Sequence, residues 1–243
     1  MITLTPLRPR PSRPDDLSGD AHRQLIGWIG LLLPGVLVVL TRERDGIERW
    51  RGLESISHYY YTGAVAAFVG MLVALALFLF TYRGFANPNN TLDRGAAVVA
   101  GTTALLVAFF PTAAPTGVAA LSWWTPLTGR VHVFSAAVLF AAFAFFALWL
   151  FPLSPTGRRE IRGWRNKVYV LSGLTILVSI GWAFENGVTG RPIFLPESIA
   201  LIAFSASWLV KGYADEMAVG TARWLLRRAA RTHPSSGGTQ SGR

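Results

Sequence analysis

Cysteine is absent from this chain of 243 residues, which excludes disulfide scaffolds, thiolate metal sites and cysteine nucleophiles. Charge is scarce too. Only 15% of the residues are Asp, Glu, Lys or Arg, against about 25% in an ordinary soluble domain. The usual catalytic and nucleotide signatures are missing: there is no HExxH pair, GxSxG elbow, P-loop or Rossmann glycine pattern. Internal repeats, acidic groups deep within an apolar run, charged rings and filter loops are lacking as well, which disfavours transporters and channels.

What the chain does have is apolar length, with 51% of its residues hydrophobic. A bilayer core of about 30 Å takes about 20 helical residues to cross. Six blocks approach that length, over residues 24–41, 62–82, 95–111, 131–151, 168–185 and 194–210. They are continuous rather than alternating, so they read as helices and not as barrel strands. The expectation is an all-α, polytopic bundle of six transmembrane helices over residues 23–213. Residues 1–22 read as a disordered arm, 214–231 as a short basic amphipathic helix, and 232–243 as a disordered tail. The first block follows basic residues as a signal peptide would, but its exit at Val38-Val39-Leu40-Thr41 offers no cleavage site, so it reads as an uncleaved helix. Pro34 within it predicts a kink.

The net charge is +10, and its distribution sets the orientation. Arg8, Arg10, Arg13 and Arg23 lie in the arm, Arg83 and Arg94 in the second connection, and Arg158, Arg159, Arg162, Arg165 and Lys167 in the fourth. Lys211 and five further arginines follow the last block. The alternate connections hold only Arg42, Arg44, Arg49, Arg51, Arg130 and Arg191. Basic residues mark the cytoplasmic side, so both termini are expected inside and the protein in the cell (inner or plasma) membrane. This sorting explains the excess charge without a nucleic-acid partner. The partners expected are membrane lipids, with anionic headgroups at the basic helix carrying Arg223, Arg227 and Arg231.

Between the blocks, Ile47, Trp50 and Leu53 are spaced as one face of a short surface helix. Tyr59, Tyr60 and Tyr61 read as an interfacial aromatic belt. Ala66, Gly70 and Ala74 form a row of small residues that predicts close packing of that face.

Ionisable groups at membrane depth are costly and therefore informative. His58 precedes the second block, His132 opens the fourth, Glu185 ends the fifth and Glu197 lies near the start of the sixth. All four fall near the outer edge, on four different segments. The first reading is a polar pocket on the extracytoplasmic side for a lipid or small ligand, formed by Ser57, His58, His132, Ser135, Glu185 and Glu197, with Thr112 as a further hydroxyl. No cofactor is required by that reading. A second reading makes His58, His132, Glu185 and Glu197 catalytic, with His58, His132 and Glu197 holding a divalent metal such as zinc in a hydrolase acting on lipid headgroups. A third is a non-catalytic scaffold, in which the histidines bond to backbone carbonyls and Glu197 pairs with Arg130 or Arg191.

The run Glu54-Ser-Ile-Ser-His-Tyr-Tyr-Tyr-Thr62 leading into Phe68-Val-Gly70 resembles a family of uncharacterised bacterial six-helix membrane proteins. So do Phe110-Pro-Thr112, His132, Glu197 and Phe204-Ser-Ala-Ser-Trp-Leu-Val-Lys-Gly212. The likeness covers about residues 24 to 213, and the segment ahead of the second block is distantly similar to DRAM-like and domain-of-unknown-function membrane proteins. It implies fold and topology and brings no activity. The membrane hydrolases related to alkaline ceramidases use three histidines around zinc. Here only His58 and His132 lie near the membrane, which argues against that role.

Overall fold

The structure is a computed structural model and describes residues 14–41, 54–82, 84, 89–153, 158–159 and 163–232, with backbone alone at 14–18, 20 and 214–232. The described residues are helical and contain no strand beyond an isolated bridge between Leu153 and Arg159. The chain runs through α1 (Pro14–Leu40), a 3₁₀ helix (Ile56–Tyr61), α2 (Val65–Thr81) and α3 (Asn90–Phe109). It continues through α4 (Pro126–Phe145), a π turn (Phe146–Leu150), α5 (Trp164–Thr189) and α6 (Phe194–Thr232).

Each helix packs on its neighbour in sequence, and α6 returns to pack against α1, so the bundle is a closed ring. Among the described residues, five segments are long and apolar enough to cross a membrane: Ala21–Leu40, Asn90–Phe109, Pro126–Leu150, Trp164–Thr189 and Phe194–Tyr213. The second sequence block is shorter than expected. Its α-helix has 17 residues, about 26 Å at ~1.5 Å per residue, because the chain enters it through the 3₁₀ helix rather than directly at Thr62.

Other boundaries also move. α1 begins at Pro14, inside the stretch expected to be an arm. A proline at the first helical position loses no hydrogen bond, and Asp15 and Asp16 after it favour the positive end of the helix dipole. Pro34 sits inside α1, which continues to Leu40. At the other end, residues 214–232 run on from the apolar part of α6 and do not start a separate helix. The proposed surface helix through Ile47, Trp50 and Leu53 lies outside the described residues.

The outside of the bundle is oily. Val39, Leu77, Phe134, Leu171 and Val178 are all more than half exposed, an arrangement that water would penalise and lipid tails accept. Inside, buried hydroxyls satisfy themselves along their own helices. Ser205 donates to the Leu201 carbonyl at 2.7 Å, Ser207 to Phe204 at 2.7 Å and Thr103 to Val99 at 2.9 Å. The core is aromatic: Phe143 stacks on Phe204 with ring centroids 3.7 Å apart, and Trp208 lies among Tyr82, Phe146, Phe151 and Phe204.

Glycine sets the spacing of α1 and α6. A methyl group at Gly27 would fall 2.7 Å from Leu209 Cγ, and one at Gly30 would fall 2.7 Å from Ser205 Oγ. The small-residue row of α2 does not act this way. Ala66 and Gly70 are exposed, and a methyl group at Gly70 would meet nothing within 4 Å. The row faces outward because α2 turns Phe68, Leu72, Leu75 and Leu79 into the core instead.

Candidate functional site

The site forms at the end of the bundle where α3 stops and the 3₁₀ helix, α4 and α6 begin. Helix α3 ends at Phe109, and Phe110 leaves in an extended conformation, which strips the next carbonyls of helical partners. Three side chains supply them. His132 Nδ1 reaches the Phe110 carbonyl at 2.6 Å, Trp124 Nε1 donates to Pro111 at 3.1 Å, and the Tyr61 hydroxyl donates to Thr112 at 2.6 Å. Thus Thr112 contributes its carbonyl.

The first of these contacts fixes the state of His132. A carbonyl oxygen can only accept, so Nδ1 carries the hydrogen; in the neutral ring Nε2 is then an acceptor. The atom facing Nε2 is Ser57 Oγ, at 2.8 Å. Ser57 therefore donates its hydroxyl hydrogen to His132. Both residues are buried. Ser135, one turn farther along α4, is buried as well.

Glu197 holds the segment that carries Ser57. Its Oε2 accepts from the Ile56 backbone N–H at 2.7 Å and from the Ser55 hydroxyl at 2.9 Å. Ser55 in turn caps the 3₁₀ helix by accepting the Ser57 N–H at 3.1 Å. Glu197 sits in the first turn of α6, where the helix dipole favours an acidic group. The neighbouring loop is tied to the same segment, since the Glu54 carbonyl accepts from the N–H groups of both Ile193 and Phe194. Gly190 closes α5 in the left-handed conformation at φ 69°, and Asn186 clamps the turn by donating to the Pro192 carbonyl at 2.7 Å.

Below the 3₁₀ helix is a cavity of about 40 Å³. Its wall includes Leu33, Phe68, Leu72, Val107, Leu139 and Phe143, and the polar residues on it are Ser57 and Glu197. About 10–15 Å³ on this measure accommodates one water. The space suits two or three waters, or a few carbon atoms.

The six residues singled out from the sequence thus divide. Ser57 and His132 bond directly, Glu197 joins them through Ser55 and Ile56, and Ser135 lies close by along α4. His58 stands aside: its Nδ1 is 3.9 Å from the Glu54 carboxylate and has no hydrogen-bond partner. Burial pushes the His58 pKa below its ordinary value, and the Glu54 charge opposes that only in part. Burial pushes the Tyr61 phenol upward, as does Tyr60 beside it, which suits its role as a donor to Thr112.

Glu185 does not take part. It is exposed and pairs with Arg191 at 3.2 Å, because its turn of α5 faces outward. Arg191 is therefore the partner of Glu185 rather than of Glu197. Nor do His58, His132 and Glu197 assemble a metal site. Among the described residues no three His, Asp or Glu side chains gather closely enough to hold a metal ion. Both His132 nitrogens are engaged, and Glu197 Oε2 already accepts two hydrogen bonds. The tyrosine run is likewise only partly a surface belt: Tyr59 is buried against Phe194, with ring centroids 6.0 Å apart.

Sequence reasoning missed the buried polar residues at the opposite end. Arg23, Asp93 and Lys211 are buried there. Lys211 Nζ donates to the Phe151 carbonyl at 3.3 Å and lies 5.9 Å and 5.8 Å from the Phe151 and Tyr169 rings. The rings on which the lysine stem packs belong to Phe151 and Tyr169, on other elements of the bundle, so no local pattern in the sequence signalled the contact. Comparison with family models, curated proteins and solved structures finds no match to this chain.

Proposed function

We propose that this is a six-span protein of the cell membrane with both termini cytoplasmic, and that the outer end of its bundle binds a small amphipathic ligand or the end of a lipid chain. The observation carrying this reading is the cavity, apolar along its length and polar only where Ser57 and Glu197 border it. An apolar tail gains by leaving water, and a hydroxyl head finds acceptors in Ser57 Oγ and the Glu197 carboxylate. The six-span count is supported by the ring, in which α2 is uncharged and packed between α1 and α3. The arginine bias supports the orientation. It also supports a role for the basic sequence 214–231 against anionic headgroups on the cytoplasmic face.

Two measurements test the proposal. The native chain has no cysteine, so single cysteines report topology directly. Thr116→Cys is expected to react with an impermeant maleimide on intact cells, and Arg158→Cys only after permeabilisation; the reverse pattern overturns the orientation. For the pocket, native mass spectrometry of the protein in nanodiscs is expected to find a bound small molecule or lipid. Ala136→Phe, which fills the cavity, should lose it. The same bound species on both proteins refutes the pocket.

A further inference from the structure

We propose that Ser57 is a nucleophile activated by His132, and that the pocket receives the short acyl group of an oxygen ester and transfers it through Ser57. This rests on the reading of the cavity as a ligand site and adds a reaction to it.

The argument begins with the hydrogen. Serine is a weak nucleophile until a neighbouring base accepts its proton. A base does so when an acceptor nitrogen lies within about 2.6–3.2 Å and a further group holds the ring in the correct tautomer. His132 meets both conditions, with Nε2 at 2.8 Å from Ser57 Oγ and Nδ1 held by the Phe110 carbonyl at 2.6 Å. A backbone carbonyl occupies the place that a carboxylate takes in the familiar triad. It orients the ring and stabilises the imidazolium by its dipole.

The second element is position. Ser57 is on the cavity wall as well as against His132. A residue serving only to satisfy a buried histidine has no need to border an empty space. The volume of about 40 Å³ suits a group of a few carbons more closely than a long chain, so the acyl part is short. Glu197, on the same wall, holds Ser55 and Ile56 and so is a positioning residue for the 3₁₀ helix that carries Ser57.

The step balances without metal or redox partner. Ser57 Oγ forms a bond to the ester carbonyl carbon as its proton passes to His132 Nε2. The bond from that carbon to the alcohol oxygen breaks, and His132 returns the proton to the departing oxygen. Water, or a second alcohol, then attacks the Ser57 ester with His132 as base. The Oγ–carbon bond breaks, and Ser57 recovers its hydrogen.

The test uses the full chain in nanodiscs with p-nitrophenyl acetate as the acyl donor, followed by peptide mapping and by the release of p-nitrophenol. Acetyl is expected on Ser57, formed together with a stoichiometric burst of p-nitrophenol. Ser57→Ala should carry no acetyl there, and His132→Gln should form it about a hundredfold more slowly or worse, since general-base assistance contributes about 10²–10⁴ in rate. Thermal melts identify any variant that has failed to fold. Ser57→Cys keeps a donor at that position and is expected to trap the acyl group as a thioester. Equal acetylation of the wild type and His132→Gln overturns the proposal, as does a wild type that binds its ligand yet never acquires an acyl group. If Ala136→Phe is acetylated at the wild-type rate, the nucleophile stands and the cavity is the part refuted.

Discussion

Gly30 offers the sharpest quantitative check on the packing that positions the site. Replacing it with alanine places a methyl carbon 2.7 Å from Ser205 Oγ and 2.9 Å from Phe204 Cδ1. Neither neighbour can withdraw easily. Ser205 is fully buried and bonded to the Leu201 carbonyl, while the Phe204 ring is stacked on Phe143. Overpacking of this kind costs about 1–3 kcal/mol, offset by the ~1 kcal/mol by which alanine outdoes glycine in a helix. Gly35 lies on the same helix, and a methyl group there meets nothing within 4 Å. Gly35→Ala therefore retains the propensity gain alone. The two variants should differ by about 2 kcal/mol, or roughly 30-fold in the ratio of folded to unfolded protein. Unfolding by SDS in mixed micelles, followed through the fluorescence of the nine tryptophans, measures that difference. A Gly30→Ala protein as stable as Gly35→Ala would refute the close approach of α1 and α6.

Two further outcomes follow from the site. Glu197→Leu leaves the Ile56 N–H and the Ser55 hydroxyl without their acceptor and should cost about 3 kcal/mol, at about 1–3 kcal/mol per buried group. Glu197→Gln keeps an acceptor oxygen and should cost about 1 kcal/mol or less; equal losses in SDS unfolding would contradict the bonding described. His58 predicts a pH effect. Its folded pKa lies below the ordinary 6.5, so the unfolded chain takes up a proton that the folded chain resists. Stability should be complete above about pH 6.5 and fall as the pH drops, more steeply in Glu54→Gln and less in His58→Asn. Melting curves of the three proteins from about pH 8 to about pH 5 that superimpose would exclude this role.

The helices and the end of the bundle that gathers Ser57, His132 and Glu197 were legible because the positions of apolar runs along the chain report depth. Rotation about the helix axis was not legible in the same way. Glu185 and Glu197 lie at similar depth, yet one faces outward to Arg191 and the other turns inward to Ser55. The row Ala66, Gly70 and Ala74 had the spacing of a packing seam, but the bulkier residues of α2 claimed the interior. The bond between Ser57 and His132 spans 75 positions of sequence, and it depends on how the 3₁₀ helix is turned by Glu197. No local pattern encodes that. Depth came from composition, whereas azimuth came from which neighbours each helix found.

The closed ring has a consequence for biosynthesis. The glycine-lined side of α1 has its partner in α6, and α6 leaves the ribosome only after the five helices before it. Until then the first helix resides in the bilayer with Gly27 and Gly30 bordered only by lipid or by whatever assists insertion. Contacts that close over so many residues form late. A nascent chain stopped before Phe194 would hold its first five helices in an open arc, lacking both the seam and the carboxylate that sets Ser57 in place.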